Sequence, residues 1–156
     1  MSTSENAPGG APGGGPGQDA LERLLVDRRM GALTTLKRDG RPQLSMVLHH
    51  YDPAARELHV SATDGRAKTR NLRRDPRASF YVTTPDLSAY AVGEGEVQFG
   101  RVARDPADAA VEALVEHYRA LRDEHNDWDD FRAAMVREQR LLLRLALTRV
   151  YGWSPG

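Results

Sequence analysis

Residues 66–79 read RAKTRNLRRDPRAS and carry six basic side chains between Arg66 and Arg77, with Asp75 as the one acid among those twelve positions. The segment follows VSATDG at 60–65. The predicted order is therefore a strand, a glycine turn and a short basic helix that stops before Pro76. This junction raises the question of which anion, if any, the basic residues bind.

The start of this helix is the predicted anion site. A helix start exposes unpaired backbone N–H groups and the positive end of the helix dipole. Arg66 and Lys68 lie at that start, where an anion would bind. The other basic residues lie farther along and are expected to be solvated or paired: Arg70, Arg73, Arg74 and Arg77.

Three interpretations of the basic segment stay open on the residues alone. One is a solvated helix face, since charge runs usually serve solubility. The second is a nucleic-acid patch, which is disfavoured because aromatic residues do not alternate with the charges and the whole chain has 22 Lys+Arg against 22 Asp+Glu. The third is a small-molecule phosphate site, supported by position, although Gly65 is a single glycine and not a phosphate-loop motif.

Periodicity on either side of the basic segment predicts mostly strands. ALERLLVDRR (20–29) has the stripe of an amphipathic helix, and GALTTLKRDGRPQLSMVLHHY (31–51) predicts two strands joined at Asp39-Gly40. Gly93 and Gly95 predict a bulge or a close backbone approach. Further strands are predicted in ELHVSA (57–62), ASFYVTT (78–84), SAYAVGEGEVQFGRV (88–102) and LLLRLALTRVYGW (141–153).

Two helices are predicted between the last two strands. RDPADAAVEALVEHYRALRDEH (104–125) is expected to be capped by Asp105 with Pro106 in its first turn, and DWDDFRAAMVREQR (127–140) by Asp127 or Asp129. Antiparallel strands with helices grouped late indicate an α+β fold. Its sheet is predicted to close into a small barrel with flanking helices.

Length and composition limit the class of protein. The 156 residues suit one domain, and the zero net charge disfavours bulk attraction to nucleic acid or membranes. The absence of cysteine excludes disulfides and thiolate chemistry, and no apolar run approaches the roughly 18 residues of a membrane span. Residues 1–18, rich in Gly and Pro and without signal-peptide features, are predicted to be a disordered tail ahead of one domain at 19–156, and a cytoplasmic location is expected.

Other catalytic or metal sites are not predicted from the sequence. No Ser-His-Asp arrangement is visible. The five histidines lack zinc-type spacing with carboxylates, so no metal site is expected. They are His49, His50, His59, His117 and His125.

Four segments, in this order, carry a resemblance to a known family: DGRPQLS (39–45), RAKTRNLRRDPRAS (66–79), HNDWDDFRAAMV (125–136) and RVYG (149–152). They resemble the pyridoxamine-phosphate-oxidase-like split β-barrel superfamily and look most similar to its branch of reductases that use the deazaflavin coenzyme F420. The resemblance covers about Leu21 to the C-terminus. It implies a split β-barrel, a homodimer with cofactor sites at the subunit interface, and hydride transfer from reduced F420 to an enone, quinone-like or coumarin-like compound.

The same resemblance implies a set of cofactor-binding positions and makes the coenzyme's phosphodiester the expected anion of the basic segment. These positions are Gln43, Ser45, Met46, Val47 and Leu48 along the second strand, where the family's flavin ring lies; Ser61 and Thr63 near the linker and phosphate; Arg66 and Lys68 as phosphate anchors; and Asn71 as a nearby polar contact.

Two departures from the family's pattern bear on the cofactor. The oxidases carry a basic residue near the end of the second strand, where this chain has His49, and an arginine-containing substrate motif at the end, where this chain reads TRVYGWSPG. These differences argue against pyridoxamine-phosphate oxidation and favour F420, with FMN as the alternative. A non-catalytic carrier of F420, flavin or a tetrapyrrole is the alternative function. No catalytic acid or base is assigned, because a deazaflavin transfers hydride itself and the protein need only bind, orient and shield it.

Overall fold

The computed structural model describes residues 16–155. Within this range seven strands form one antiparallel sheet in the order β2-β1-β5-β6-β7-β4-β3. The sheet curls into a half-barrel, so the predicted α+β split barrel is confirmed. The predicted tail lies outside the described residues except at its end, where the first helix begins at Pro16. The elements are α1 (Pro16–Asp27), β1 (Met30–Leu36), β2 (Pro42–Leu48), β3 (His50–Asp52), β4 (Glu57–Thr63), α2 (Ala67–Arg74), β5 (Arg77–Thr83), β6 (Tyr90–Phe99), α3 (Ala109–Arg122), α4 (Trp128–Arg137) and β7 (Arg140–Trp153).

The alternating strand pattern produces the barrel core. The side chains that point into the barrel are almost fully buried, as Leu33 on β1, Phe80 on β5 and Leu143 on β7 show. Helix α1 adds Leu21 and Leu25 to the same cluster. Removing a side chain as large as Phe80 from such a core typically costs about 3–5 kcal/mol. This core fixes the curled sheet whose outer strands carry the candidate site.

His49 lies between β2 and β3 and interrupts the single strand that the sequence predicted through His50 and Tyr51. Its Nε2 lies 2.9 Å from the backbone oxygen of Leu25, and its backbone N–H donates to the Arg29 oxygen. The ring also packs edge-on against Phe80, with centroids 4.7 Å apart. These tertiary contacts turn the chain inward, and the short strand β3 starts beyond the turn.

The predicted bulge is present in β6. The pairing of β6 with β7 shifts register between Glu94 and Gly95. A Cβ at Gly95 would lie within bonding distance of the backbone oxygen of Ala146, which excludes larger residues there. The predicted close backbone approach is therefore confirmed at this glycine.

The cap of α3 differs from the prediction, whereas that of α4 agrees with it. Asp108, and not Asp105, caps α3, because its carboxylate accepts from the Val111 N–H at 2.8 Å and also from the N–H groups of Arg104 and Asp105. Asp105 and Pro106 lie in the turn before the helix. Asp127 caps α4 by accepting from the Asp130 N–H.

None of the helices between residues 16 and 155 is both long and apolar enough to cross a membrane.

Candidate cofactor site

A cavity of about 320 Å³ lies between the barrel and the hairpin of α3 and α4. Larger grooves of about 740 and 520 Å³ occur elsewhere, but neither contains any of the predicted cofactor residues. The cavity is lined on the barrel side by Met46, Val47, Leu48, Ser61, Lys68 and Arg140, and on the helix side by Leu114, His117, Tyr118, Leu121, Arg122, Phe131 and Met135.

Strand β2 forms one wall of this cavity and is an end strand of the sheet. It pairs with β1 from Pro42 to Leu48, and its other edge has no strand partner among the described residues. Free backbone N–H and C=O groups on such an edge can hydrogen-bond the polar atoms of a flat ring. The predicted ring-binding residues Met46, Val47 and Leu48 lie at the cavity.

The start of α2 is positively charged and lacks a capping side chain. Arg66 occupies the N-cap position with extended backbone and makes no capping hydrogen bond, and no acid lies in the first turn. The turn before it needs Gly65, whose φ is +83°. The first N–H groups of α2 therefore remain available to an anion.

Lys68 lies half-buried in the cavity wall near two other cations. Burial lowers its pKa from the ordinary value, and the charges of Arg66 and Arg140 lower it further. Arg140 pairs with Glu138 at 3.3 Å, whereas Lys68 has no carboxylate within ion-pair distance among the described residues. An anion bound here would relieve the repulsion among these cations.

The remaining basic residues of the segment lie away from the cavity. Arg73 pairs with Asp64 at 2.9 Å, and Arg77 pairs with Asp75 at 2.8 Å. Arg74 donates to the backbone oxygen of Leu36 and to Asn71, whereas Arg70 is exposed. As expected from the sequence, these side chains are paired or solvated.

Asn71 holds α2 against the first hairpin. Its side-chain nitrogen donates to Gln43 Oε1 at 2.6 Å and to Thr35 Oγ1 at 3.1 Å, while its oxygen accepts from Arg74 at 2.9 Å. The amide is buried, and both its ends are satisfied within the protein. Asn71 and Gln43 therefore connect α2 to the first hairpin and do not line the cavity.

The structure brings only part of the predicted set to the cavity. Ser61, on β4, lines it together with Lys68 and the three β2 residues. Ser45 lies on β2 outside the lining, and Thr63 uses its backbone oxygen to accept from Thr69 Oγ1 at 3.0 Å and from the Arg66 N–H at 3.3 Å. Arg66 is exposed beside the cavity at the start of α2.

The helix side of the cavity was missed by sequence reasoning. An aromatic cluster fixes the hairpin, since the ring of Tyr118 lies 5.1 Å from that of Phe131 and 5.6 Å from that of Trp128, with edge-to-face geometry. Leu114 and Tyr118 are four positions apart in the sequence, the spacing of residues in one apolar stripe of a helix. That stripe reads as core packing, so it gave no signal that part of it faces a ligand cavity.

His117 is the least expected residue of the wall. It is only 7% exposed, yet its buried Nδ1 has no hydrogen-bond partner among residues 16–155. Burial, followed by the nearby histidines His59, His50 and His49, lowers its pKa to about 4, so the ring is neutral near pH 7. Within 16–155 no group of three or more acidic or histidine side chains is placed to hold a metal ion.

Comparison with known proteins adds the family context. The family model described as pyridoxamine 5'-phosphate oxidase matches residues 18–154. A conserved hypothetical protein from Mycobacterium tuberculosis superposes with a TM-score of 0.69 at 21% identity, covering 88% of this chain and 84% of that one. A structure named as an F420 reductase has a TM-score of 0.63 at 23% identity, with 83% and 94% covered. A heme binding protein from Mycobacterium smegmatis has a TM-score of 0.60 at 22% identity, with 86% of this chain and 53% of that chain covered.

Proposed function

Because this chain belongs to the pyridoxamine 5'-phosphate oxidase family, we propose that it is an F420H2-dependent reductase that transfers hydride to an electron-poor unsaturated small molecule, such as an enone, a quinone or a coumarin. The family includes oxidoreductases and binds flavins or related cofactors. The observation that carries the proposal is one cavity that contains both Lys68, which has no carboxylate partner among the described residues, and the free edge of β2, with Arg66 exposed beside it.

The residues of the cavity suit the phosphate, the ring and the exclusion of water. Lys68 and the start of α2 would hold the phosphodiester by charge-assisted hydrogen bonds. The β2 edge at Met46 and Leu48 would orient the ring, and the apolar side chains of α3 and α4 would keep water away from the reacting atoms. The bound coenzyme supplies a hydride from its central ring carbon and reacts poorly with oxygen.

The environment of His49 supports F420 over pyridoxamine-phosphate chemistry. Its ring is turned into the core and bonded to the Leu25 oxygen, and burial lowers its pKa, so it is neutral near pH 7. The cation that the family's oxidases place near this point is therefore not supplied by His49. FMN is the alternative cofactor.

The proposal includes a homodimer. It is supported by a row of side chains that runs across the outer face of the sheet, from β2 to β7. Paired residues on neighbouring strands share a face, and Met46, Ala32, Tyr81, Val92 and Tyr151 are paired in succession across five strands. Met46 is 66% exposed and the two tyrosines are 40% and 39% exposed, whereas Val92 between the tyrosines is only 8% exposed. A second copy packed on this row would cover exposed apolar surface and reach the cavity through Met46.

Light scattering tests the dimer. The expected mass is about twice the 17.3 kDa of the chain. Tyr81→Glu, which places a charge in the middle of the row, should give monomers, whereas Ala120→Glu on the exposed face of α3 should leave the mass unchanged. A wild-type monomer at micromolar concentration that still binds cofactor tightly would contradict the dimer.

Side-by-side titration with F420, FMN and FAD tests the cofactor. We expect F420 to bind most tightly, and oxidation of F420H2 by a panel of enones to depend on the protein. Co-purification of nearly stoichiometric FMN that F420 fails to displace would assign the chain to FMN. Tight F420 binding without turnover on any enone would favour a carrier.

A tetrapyrrole carrier is the second candidate, and His117 is the observation that favours it. A neutral, unpartnered histidine beside apolar side chains and cations is the kind of residue that can ligate a heme iron. Titration with hemin separates the two functions, because an iron-bound histidine gives a sharp Soret shift that His117→Leu should abolish.

A further inference from the structure

His117 combines burial, a place in the cavity wall and unused hydrogen-bonding capacity. No hydrogen bond joins either of its ring nitrogens to another described residue, and its Nδ1 is buried. A buried polar atom left without a partner destabilises the folded state, because it has lost its hydrogen bonds to water. An apolar residue would therefore pack better at this position, and nothing in the hydrogen bonding of the fold calls for an imidazole.

The surroundings of His117 indicate what kind of atom would satisfy it. Leu114 and Leu121, about one helical turn away on either side along α3, give this part of the cavity an apolar wall. The charged groups of the cavity are all cations: Lys68, Arg122 and Arg140. The titratable groups acting on His117 are the other histidines His59, His50 and His49, and the ring stays neutral near pH 7. A neutral imidazole carries one N–H donor and one acceptor, so it can hydrogen-bond an uncharged polar atom such as a carbonyl oxygen or a ring nitrogen.

We propose that His117 is a cofactor-binding residue that hydrogen-bonds the polar edge of a flat conjugated ring whose anionic group is held at Lys68. This rests on the proposed function and names a contact that the second strand and α2 do not supply. The ligand class is a planar heterocycle with carbonyl or ring-nitrogen atoms on one side and a phosphate on the other. The contact selects for ring polarity, because a purely apolar ring would leave the imidazole unsatisfied.

Two variants separate a binding role from a packing role. His117→Leu removes both ring nitrogens and should weaken F420 binding about three- to tenfold, the range expected for one neutral hydrogen bond. The melting temperature of the free protein should stay the same or rise, because an unsatisfied buried group is removed. His117→Gln keeps a side-chain N–H and C=O and should retain most of the affinity.

His59→Gln is the matched control. His59 belongs to the same group of histidines but lies 3.2 Å from Glu57 Oε1 and does not line the cavity. Its replacement should leave F420 affinity unchanged. A loss equal to that of His117→Leu would assign the effect to general disturbance of the region and overturn the proposal.

Long-range ¹H–¹⁵N spectra of labelled histidine give a readout that does not depend on activity. One ring nitrogen of His117, assigned with His117→Gln, should shift when F420 is added, and the His59 nitrogens should not. Unchanged His117 signals in the saturated complex, or wild-type affinity in His117→Leu, would overturn the contact while leaving the reductase proposal intact. If the wild type binds FMN and not F420, the cofactor assignment fails, and the same two measurements with FMN decide the contact. Binding of neither would overturn both.

Discussion

Replacing Lys68 by alanine should separate a dedicated phosphate site from a diffuse basic surface. The ammonium is half-buried beside Arg66 and Arg140 and has no carboxylate partner among the described residues. A charge-assisted hydrogen bond to an ionised phosphate contributes roughly 1.5–3 kcal/mol. Since about 1.4 kcal/mol corresponds to one decade in affinity, Lys68→Ala should weaken F420 binding about ten- to a hundredfold.

The free protein should tolerate this change well. Removal of Lys68 eliminates a partly desolvated cation next to two other cations, so the melting temperature should be unchanged or slightly higher. Arg66→Ala should weaken binding less, because the exposed Arg66 side chain has more freedom at the turn. Loss of affinity together with a large loss of stability would mean that Lys68 serves the fold.

Isothermal titration at two salt concentrations is the deciding assay, with Arg70→Ala as the control. Arg70 is exposed on the same helix, whereas Arg74 is unsuitable because it bonds Leu36 and Asn71. Added salt should weaken F420 binding to the wild type more than binding to Lys68→Ala. Salt screens the charge pair between Lys68 and the phosphate, and the variant lacks this pair. Equal, small losses in the Lys68, Arg66 and Arg70 variants would refute a localised phosphate anchor.

Other outcomes follow from single features of the chain. The fold lowers the pKa of His117 from 6.5 to about 4, so between these two pH values the unfolded chain binds more protons than the folded protein. Because of this residue, the protein should be about 2 kcal/mol less stable at pH 5 than at pH 7. Urea denaturation should show a flatter pH profile for His117→Leu, and an unaltered profile would contradict the assigned environment. Asn71→Ala leaves Gln43 without its donor and should cost about 1–3 kcal/mol of stability by the same assay while changing F420 affinity little; a selective loss of affinity would instead make Asn71 a ligand contact. Deleting residues 1–15 should leave both the melting temperature and the affinity nearly unchanged, because their composition offers little apolar area to bury, and a drop of several degrees would show that the segment docks.

Local chemistry in the sequence was enough to predict most of the elements. The turn at Asp39-Gly40, with φ of +86° at the glycine, joins β1 and β2 as predicted. The short basic helix begins after Gly65 and ends before Pro76, and Asp127 caps α4. These features depend on residues only a few positions apart, so the backbone preferences of Gly and Pro and the capping ability of Asp are readable without the fold.

The same local information located the cationic start of α2, including Lys68, and the strand along which a ring would lie. It could not tell which side chains are free to meet a ligand. Asn71 and Gln43 were predicted as cofactor residues, but they bond each other at 2.6 Å across 28 positions of sequence. Such pairing is decided by how α2 packs on the first hairpin, which no window of sequence contains.

Tertiary structure alone decided the second wall of the site. Met46 and His117 come to one cavity because the sheet curls and the α3–α4 hairpin packs on β7 and β4, so that it faces β2 across the cavity. The stripe of α3 shows only that one face is apolar, and burial in a core and burial beneath a ligand require the same pattern. The inward turn at His49 likewise depends on a tertiary contact, the one between its ring and the backbone oxygen of Leu25. The sequence thus determined the helices, the strands and the charge of the site. Long-range packing determined which side chains enclose the site, because its walls come from elements that are far apart in the sequence.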